Sequence, residues 1–317
     1  MLNVKNISFS YTTTPAVKDI SFMVTKGQNV AIIGESGCGK STLLKLIYGL
    51  YDLNSGEISY NQQPILGPKF NLIPGADNMK YLAQDFDLMP FITVAENVGK
   101  FISNVDPKEK QRRINELLEI VEMTEYANVL AKTLSGGEQQ RIALARVLAI
   151  EPEILLLDEP FNHIDNFRKN ALRRNLFAYL KSRQITCLVA THDSTDALSF
   201  ADEIIVLQKG RLQSKKPTLE MYADPGDIYT ASLFGEVNQI NQSQILGTSE
   251  GEDKTLLLYP HQLRVSEEGL LKAVVKQSYF KGNNYLVKAI SNRKVIFFEH
   301  DSALPVSEVV SLMDNRH

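Results

Sequence analysis

Residues 34–41, Gly34-Glu35-Ser36-Gly37-Cys38-Gly39-Lys40-Ser41, fit the pattern G-x-x-x-x-G-K-[ST] at every fixed position. The chemistry served by that spacing is capture of a polyphosphate. Glycines let successive backbone N–H groups converge on phosphate oxygens, and a helix starting at the loop points its positive end at them. Lys40 then reaches the β- and γ-phosphates, and the Ser41 hydroxyl is a ligand for Mg²⁺. Apolar Val30–Ile33 precedes the loop and the helical run Thr42–Leu50 follows it, which is the context the pattern requires. A chance glycine-rich turn is the plainer explanation, and the complete set of fixed residues disfavours it.

Ile154-Leu155-Leu156-Leu157-Asp158-Glu159-Pro160 reads as an apolar strand ending in two acids. In an open α/β sheet ligands sit beyond the carboxyl ends of the strands, so both acids are expected at the phosphate site. Asp158 suits the Mg²⁺ shell through a water, because Mg²⁺ keeps part of its hydration. Glu159 is then placed to polarise an attacking water as general base. Two such acids can also simply cap the next helix; the phosphate loop upstream tips the reading towards catalysis. A third cluster, Leu134-Ser135-Gly136-Gly137-Glu138-Gln139-Gln140-Arg141, opens a helix. Ser135 and Glu138 form an S-x-x-E capping box. A well-made cap does not account for the intervening Gly136 and Gly137, which let a backbone approach an anion at the positive helix end.

These residues need a scaffold that brings strand ends together. Asn29–Ile33, Ile154–Leu157, Thr186–Ala190 and Glu203–Leu207 are short apolar runs of the kind a parallel sheet buries on both faces. Helical patterns at Ser41–Tyr48, Pro107–Val121, Glu138–Ala149 and Phe167–Ser182 alternate with them, which predicts an α/β architecture. After about Gly235 the texture changes to short runs, Thr255–Tyr259, Leu270–Gln277, Tyr285–Ala289 and Lys294–Glu299, separated by turn signals such as Gly282-Asn283-Asn284. This predicts a small all-β barrel or sandwich. Domains 1–235 and 236–317 are therefore expected.

The 317 residues suffice for two domains. A net charge of −3 argues against a nucleic-acid partner. Cys38 and Cys187 are too few and too far apart for a disulfide scaffold, and fit a reducing cytosol. With no apolar stretch of about 18 residues and no signal-like start, the chain is not expected to span a membrane. Cys38 carries two readings. Lys40 and the helix N-terminus would lower its thiol pKa and make it reactive; alternatively it is a small side chain filling the loop.

The cluster 134–141 resembles the LSGGQ signature of the ABC-transporter ATPase family, here LSGGE followed by Gln139 and Gln140. The resemblance covers nearly the whole chain. It implies a P-loop NTPase domain with a helical subdomain, ATP and Mg²⁺ as cofactors, and a nucleotide contacted by Gly34, Glu35, Ser36, Gly37, Cys38, Gly39, Lys40, Ser41 and Thr42. Gln84 matches the Q-loop glutamine, sensing the γ-phosphate and joining Ser41 and Asp158 at the metal. His192 in Thr191-His192-Asp193 matches the switch histidine, and Tyr11 matches the aromatic that stacks on adenine. Asn162-His163-Ile164-Asp165 occupies the D-loop, with Asn and His where the family usually has Ser-Ala.

In that family two ATPase domains close head to tail, so Ser135, Gly136, Gly137 and Glu138 would serve the partner's nucleotide in a homodimer. The resemblance further implies membrane permease subunits docking near the Q-loop, on Phe86, Leu88, Met89, Pro90 and Phe91. It implies an indirect link to a solute-binding protein and a peripheral place on the cytoplasmic face of the plasma membrane. Tyr259-Pro260-His261-Gln262-Leu263-Arg264-Val265 and the Gly235-Glu236-Val237-Asn238 entry resemble the oligonucleotide-barrel-like (TOBE) domain of solute importers in the iron(III), polyamine, sulfate and maltose group. Import of iron(III) or a polyamine is the expectation. A soluble ABC ATPase of DNA repair or translation is the alternative, disfavoured because the chain has neither two ATPase domains nor a long coiled coil.

Overall fold

A computed structural model describes residues 1–71, 73–76, 78–83, 85–247 and 253–316. Contacts group them into two compact units, Met1–Met221 and Tyr222–His317.

Among the described residues the first unit carries ten strands: β1 (Leu2–Ser10), β2 (Pro15–Val24), β3 (Asn29–Ile33), β4 (Ser55–Tyr60), β5 (Gln63–Pro64), β6 (Met79–Leu82), β7 (Ile154–Asp158), β8 (Thr186–Ala190), β9 (Glu203–Gln208) and β10 (Arg211–Pro217). They form a four-stranded sheet in the order β2-β1-β4-β5 and a six-stranded sheet in the order β10-β9-β3-β8-β7-β6. The first is antiparallel. In the second, β6, β7, β8, β3 and β9 run parallel, and β10 closes the edge antiparallel to β9. Every residue of β3, β7 and β8 is buried, which is why these strands read as unbroken apolar runs.

Six helices matter to the site: α1 (Lys40–Ile47), α2 (Val94–Gly99), α3 (Pro107–Ile120), α4 (Gly136–Val147), α5 (Asn166–Ser182) and α6 (Ser194–Phe200). Leu43, Leu44, Leu46 and Ile47 of α1 pack with Ile32 of β3, Ile154 and Leu156 of β7 and Leu188 of β8 in one cluster, which also takes in Leu2, Ile7, Ile20 and Ile58 of the antiparallel sheet. Burying each such aliphatic side chain contributes about 1.5–3 kcal/mol. The loop before α1 is thereby pinned to the sheet through the helix that follows it.

The order β3-β8-β7-β6 has a direct consequence. The described segments leaving the carboxyl ends of these four neighbours are 34–39, 191–193, 159–165 and, beyond β6, residues 83 and 85–91, so the predicted site residues among the first three emerge side by side, one strand spacing of ~4.8 Å apart. Helices α2, α3 and α4 contact one another and form the helical subdomain.

The second unit is all-β at its centre. Strands β11 (Asn238–Asn241) and β12 (Thr255–Leu258) pair antiparallel. Strands β13 (Leu263–Val265), β14 (Leu271–Phe280), β15 (Tyr285–Ser291), β16 (Lys294–His300) and β17 (Val309–Asp314) form an antiparallel sheet in the order β13-β17-β14-β15-β16. Strand β13 also touches β16, which curls the sheet in the OB-like manner expected. Alternate residues Ala273, Val275, Val287, Ala289, Ile296 and Phe298 point into one core. Residues 222–235 group with this unit: Tyr222 stacks on Tyr259 at 4.5 Å and 5°, and the Tyr259 hydroxyl donates to the Ala231 carbonyl.

Candidate active site

The loop 34–39 joins β3 to α1. At Gly39 φ is 109°, and a Cβ would lie 2.6 Å from the Ala16 carbonyl oxygen, so only glycine closes the loop there. Among the described residues α1 has no side-chain cap, and its first N–H groups face the loop. The Lys40 ammonium, buried with its stem, donates to the carbonyls of Gly34 at 2.7 Å and Glu35 at 3.0 Å. It therefore sits over the mouth of the loop. Tyr11 stands edge-on to Phe9 and Tyr51, more than half exposed, and its hydroxyl lies 3.2 Å from Thr42 Oγ1 at the start of α1.

The Ser41 hydroxyl donates to Asp158 Oδ1 at 2.9 Å, and the Tyr81 hydroxyl donates to Asp158 Oδ2 at 3.2 Å. Burial pushes the Asp158 carboxyl up, and these two donors only partly offset it. A paired hydroxyl and desolvated carboxylate make a hard-oxygen set that suits Mg²⁺ and leaves most of its shell to water and phosphate. Tyr81 has no counterpart among the residues singled out from sequence; a tyrosine in a four-residue strand gives no signal of its own.

Glu159 follows in a left-handed conformation, φ 52°, with its N–H on the Ala190 carbonyl at 2.9 Å. Its carboxylate Oε2 lies 2.9 Å from His192 Nδ1. His192 leaves the end of β8 in a braced turn: Asp193 caps α6, accepting from the Thr195 N–H, and its own N–H is bonded to Thr191 Oγ1. The buried Arg173 of α5 reaches Asp193 Oδ2 at 2.5 Å. Its Nε lies 2.6 Å from Asp196 Oδ1, a charge contact off the hydrogen-bond line. Burial pushes Asp193 up, but Arg173 and the Thr195 N–H more than offset this; at Asp196 burial wins and the carboxyl is raised. This brace was not legible in the sequence.

The signature helix α4 begins with the predicted capping box. Ser135 Oγ accepts from the Glu138 N–H at 3.4 Å, and the Glu138 carboxylate takes both the Ser135 N–H and its hydroxyl at 2.8 Å. Gly136 faces open space, as an approaching anion needs. Gly137 has a different reason to be glycine: a Cβ there would sit 2.7 Å from the His163 carbonyl oxygen. Gln140, buried on the same helix, bridges the Glu159 carbonyl and the His163 N–H at 3.0 Å each. Gln84 lies outside the described residues.

The reactive reading of Cys38 is corrected. The side chain is buried, and desolvation raises the thiol pKa by more than the Lys40 charge, with Nζ 3.9 Å away, lowers it. Cys187, wholly buried, is raised further. Native protein is expected to leave both thiols unlabelled by a thiol reagent under conditions that label them fully in denaturant. Prompt labelling of native Cys38 would restore the discarded reading.

The family model described as ABC transporter matches residues 17–162. An Fe(3+) ions import ATP-binding protein of Haemophilus influenzae is 31% identical over 337 aligned positions, spanning 99% of this chain and 95% of the relative. The chain belongs to the ABC transporter family. A spermidine/putrescine import ATP-binding protein of Clostridium novyi is 29% identical, over 90% of this chain and 87% of its own length. A solved ATP-binding cassette, described as a dimeric post-hydrolysis state bound to ADP and Pi, matches with a TM-score of 0.60 and 29% identity, over 69% of this chain and 99% of the cassette. As an ABC transporter ATPase the chain binds and hydrolyses ATP.

Proposed function

We propose that the chain is the ATP-hydrolysing subunit of an importer for iron(III) or a polyamine. In this reading it works as a head-to-tail homodimer on membrane permease subunits at the cytoplasmic face of the plasma membrane. The unit Met1–Met221 carries the ATPase chemistry, and the unit Tyr222–His317 is a TOBE-type scaffold that takes in residues 222–235, which the sequence alone assigned to the ATPase domain. Loop 34–39, Lys40 and Thr42 hold the triphosphate, Tyr11 stacks on the adenine, and Ser135–Glu138 close on the nucleotide of the partner subunit. Ser41 and Asp158 hold Mg²⁺, with Gln84 the further ligand that the family resemblance supplies; the ion contributes neutralisation of phosphate charge. Glu159 accepts the proton of the attacking water while His192, bonded to the same carboxylate, orients the γ-phosphate.

The observation that carries this reading is the pair of contacts at adjacent strand ends, Ser41–Asp158 and Glu159–His192, each 2.9 Å. Phosphoryl transfer asks the protein chiefly for positioning and charge stabilisation, and these two pairs bring together the groups suited to both. The full-length similarity to import ATP-binding proteins of iron(III) and polyamines supports the transport role. Beside the 83–91 segment lies a groove of about 380 Å³, with Tyr48, Tyr81, Phe86, Phe101, Arg146 and Ile150 among its lining; Phe91, nearby, is 76% exposed. An amphipathic helix of a permease subunit is the occupant that fits such an apolar-walled groove. Among the described residues no helix is long and apolar enough to cross a membrane.

The test is phosphate release from ATP with and without Mg²⁺, joined to membrane fractionation. Release that needs Mg²⁺, with the chain recovered on membranes together with a polytopic partner, is the expected result. Iron(III) and spermidine uptake by cells lacking the chain then separates the two solutes. Full recovery in the soluble fraction with no membrane partner would overturn the transport role and leave the ATPase standing.

A further inference from the structure

The D-loop departs from the usual family loop where it has His163 in place of alanine, and in the structure that ring has a definite partner. His163 meets Phe86 edge-on, with centroids 5.5 Å apart and planes at 87°. Phe86 follows β6 in the segment proposed to meet the permease, and both rings line one groove of about 350 Å³ with Leu88, Pro90, Lys132 and Gln139. On the Phe86 side the groove wall is tied to α4, where Arg146 holds Asp87 through its carboxylate at 2.6 Å and also through its carbonyl.

On its other side His163 is tied to the carboxylate-bearing turn. The His163 N–H donates to Gln140 Oε1, and Gln140 Nε2 donates to the Glu159 carbonyl. The same carbonyl accepts the Asn162 N–H at 3.4 Å, so residues 159–163 form one small turn whose two ends share the Gln140 amide. Glu159 holds its left-handed backbone, φ 52°, inside that turn. A non-glycine residue there is strained and keeps the conformation only while its surroundings dictate it. The close packing of Gly137 on the His163 carbonyl prevents the turn from relaxing towards α4. The His163 ring is thus the side chain that joins Phe86 to the turn carrying the Glu159 peptide.

We propose that His163 is a positioning residue: its ring, seated against Phe86, reports the state of the groove at 85–90 to the Glu159 backbone and sets the aim of the carboxylate. The proposal rests on the ATPase reading above. Alanine at 163 would leave the turn intact but cut this connection. The ring matters as packing, through its edge and its width, and not as an acid or base.

A double-mutant cycle on the full-length protein tests it, with kcat and KM for ATP measured on the parent, His163→Ala, Phe86→Ala and the double variant. Each single change is expected to lower kcat about fivefold, the size of one aromatic edge contact, with KM moved by less than about twofold. The double variant should be no slower than either single, because both remove the same link. His163→Phe, which keeps an edge to offer, should recover at least half of the lost rate. Should His163→Ala melt early, His163→Asn replaces it in the cycle. Multiplied losses of about 25-fold in the double variant, two independent fivefold losses compounded, would overturn the proposal. So would His163→Phe as slow as His163→Ala, or an effect confined to KM. A fully active Glu159→Gln would remove the base assignment and this proposal together; an inactive Glu159→Gln beside an additive cycle removes the proposal alone.

Discussion

Glu159→Gln is expected to cut steady-state phosphate release to about 1% of the parent rate or less, while ATP-dependent dimerisation persists. General-base catalysis is worth about 10²–10⁴ in rate, and glutamine has no basicity to contribute. It is close in shape, so the 2.9 Å partnership with His192 and the left-handed turn at φ 52° can be kept. Removing one negative charge also lessens repulsion with the γ-phosphate, so the nucleotide-bound dimer should live longer. Phosphate release and size-exclusion chromatography with ATP, on the same preparation, measure both halves. Parent-like turnover would sink the assignment of Glu159 as base, and loss of dimerisation along with hydrolysis would recast it as a structural residue.

Arg173→Ala carries the largest expected effect on stability, a loss of about 3–5 kcal/mol, because it leaves a buried carboxylate without its counter-charge. Arg173 and Asp196 are both almost wholly buried, and Thr191 Oγ1 is the remaining hydrogen-bond donor on Asp196, at 2.6 Å. The pH dependence has a definite sign. Asp196 in the folded protein already titrates above its ordinary value through burial, and loss of Arg173 pushes it higher. A folded-state pKa above the unfolded one gives stability that is present below the unfolded value and lost as pH rises through the folded value. The deficit of Arg173→Ala should therefore be greatest at neutral pH and shrink as pH falls towards the carboxylate range. Denaturant melts of parent and variant at several pH values check this; a deficit independent of pH would mean that lost packing against Phe161, whose ring lies 5.4 Å from the guanidinium, dominates.

What could be read from the sequence was whatever is encoded in short spacing. The phosphate loop, the two acids after β7 and the Ser135–Glu138 cap each lie within eight residues of chain, and all three take the local form expected. The buried parallel strands were readable because burial on both faces leaves their middles apolar, with Asn29, Asp158 and Thr186 only at strand ends. Strand β6 was not, since four residues with Lys80 among them carry no period. The antiparallel strands β1 and β2, more exposed and broken by bulges, were likewise passed over. Outside the motifs, contacts between distant residues escaped: Tyr81 on Asp158, Gln140 on Glu159 and His163, Arg173 on Asp193 and Asp196. At Cys38 the structure decides between the two readings, in favour of the loop-filling one. Its sequence neighbours predict a lowered pKa, but burial against the sheet is a tertiary fact, and it outweighs one nearby ammonium.

The Glu138 carboxylate occupies the N–H and the hydroxyl of Ser135, the donors that the proposed dimer would offer to a γ-phosphate. The signature loop thus already holds an anion, one made from its own helix. Closure on nucleotide then becomes an exchange of anions and not a fresh capture, so much of the energy of the new bonds is spent displacing the old ones. Such an exchange gives a clasp that can let go once the phosphate is cleaved, and a motor needs release at least as much as it needs grip.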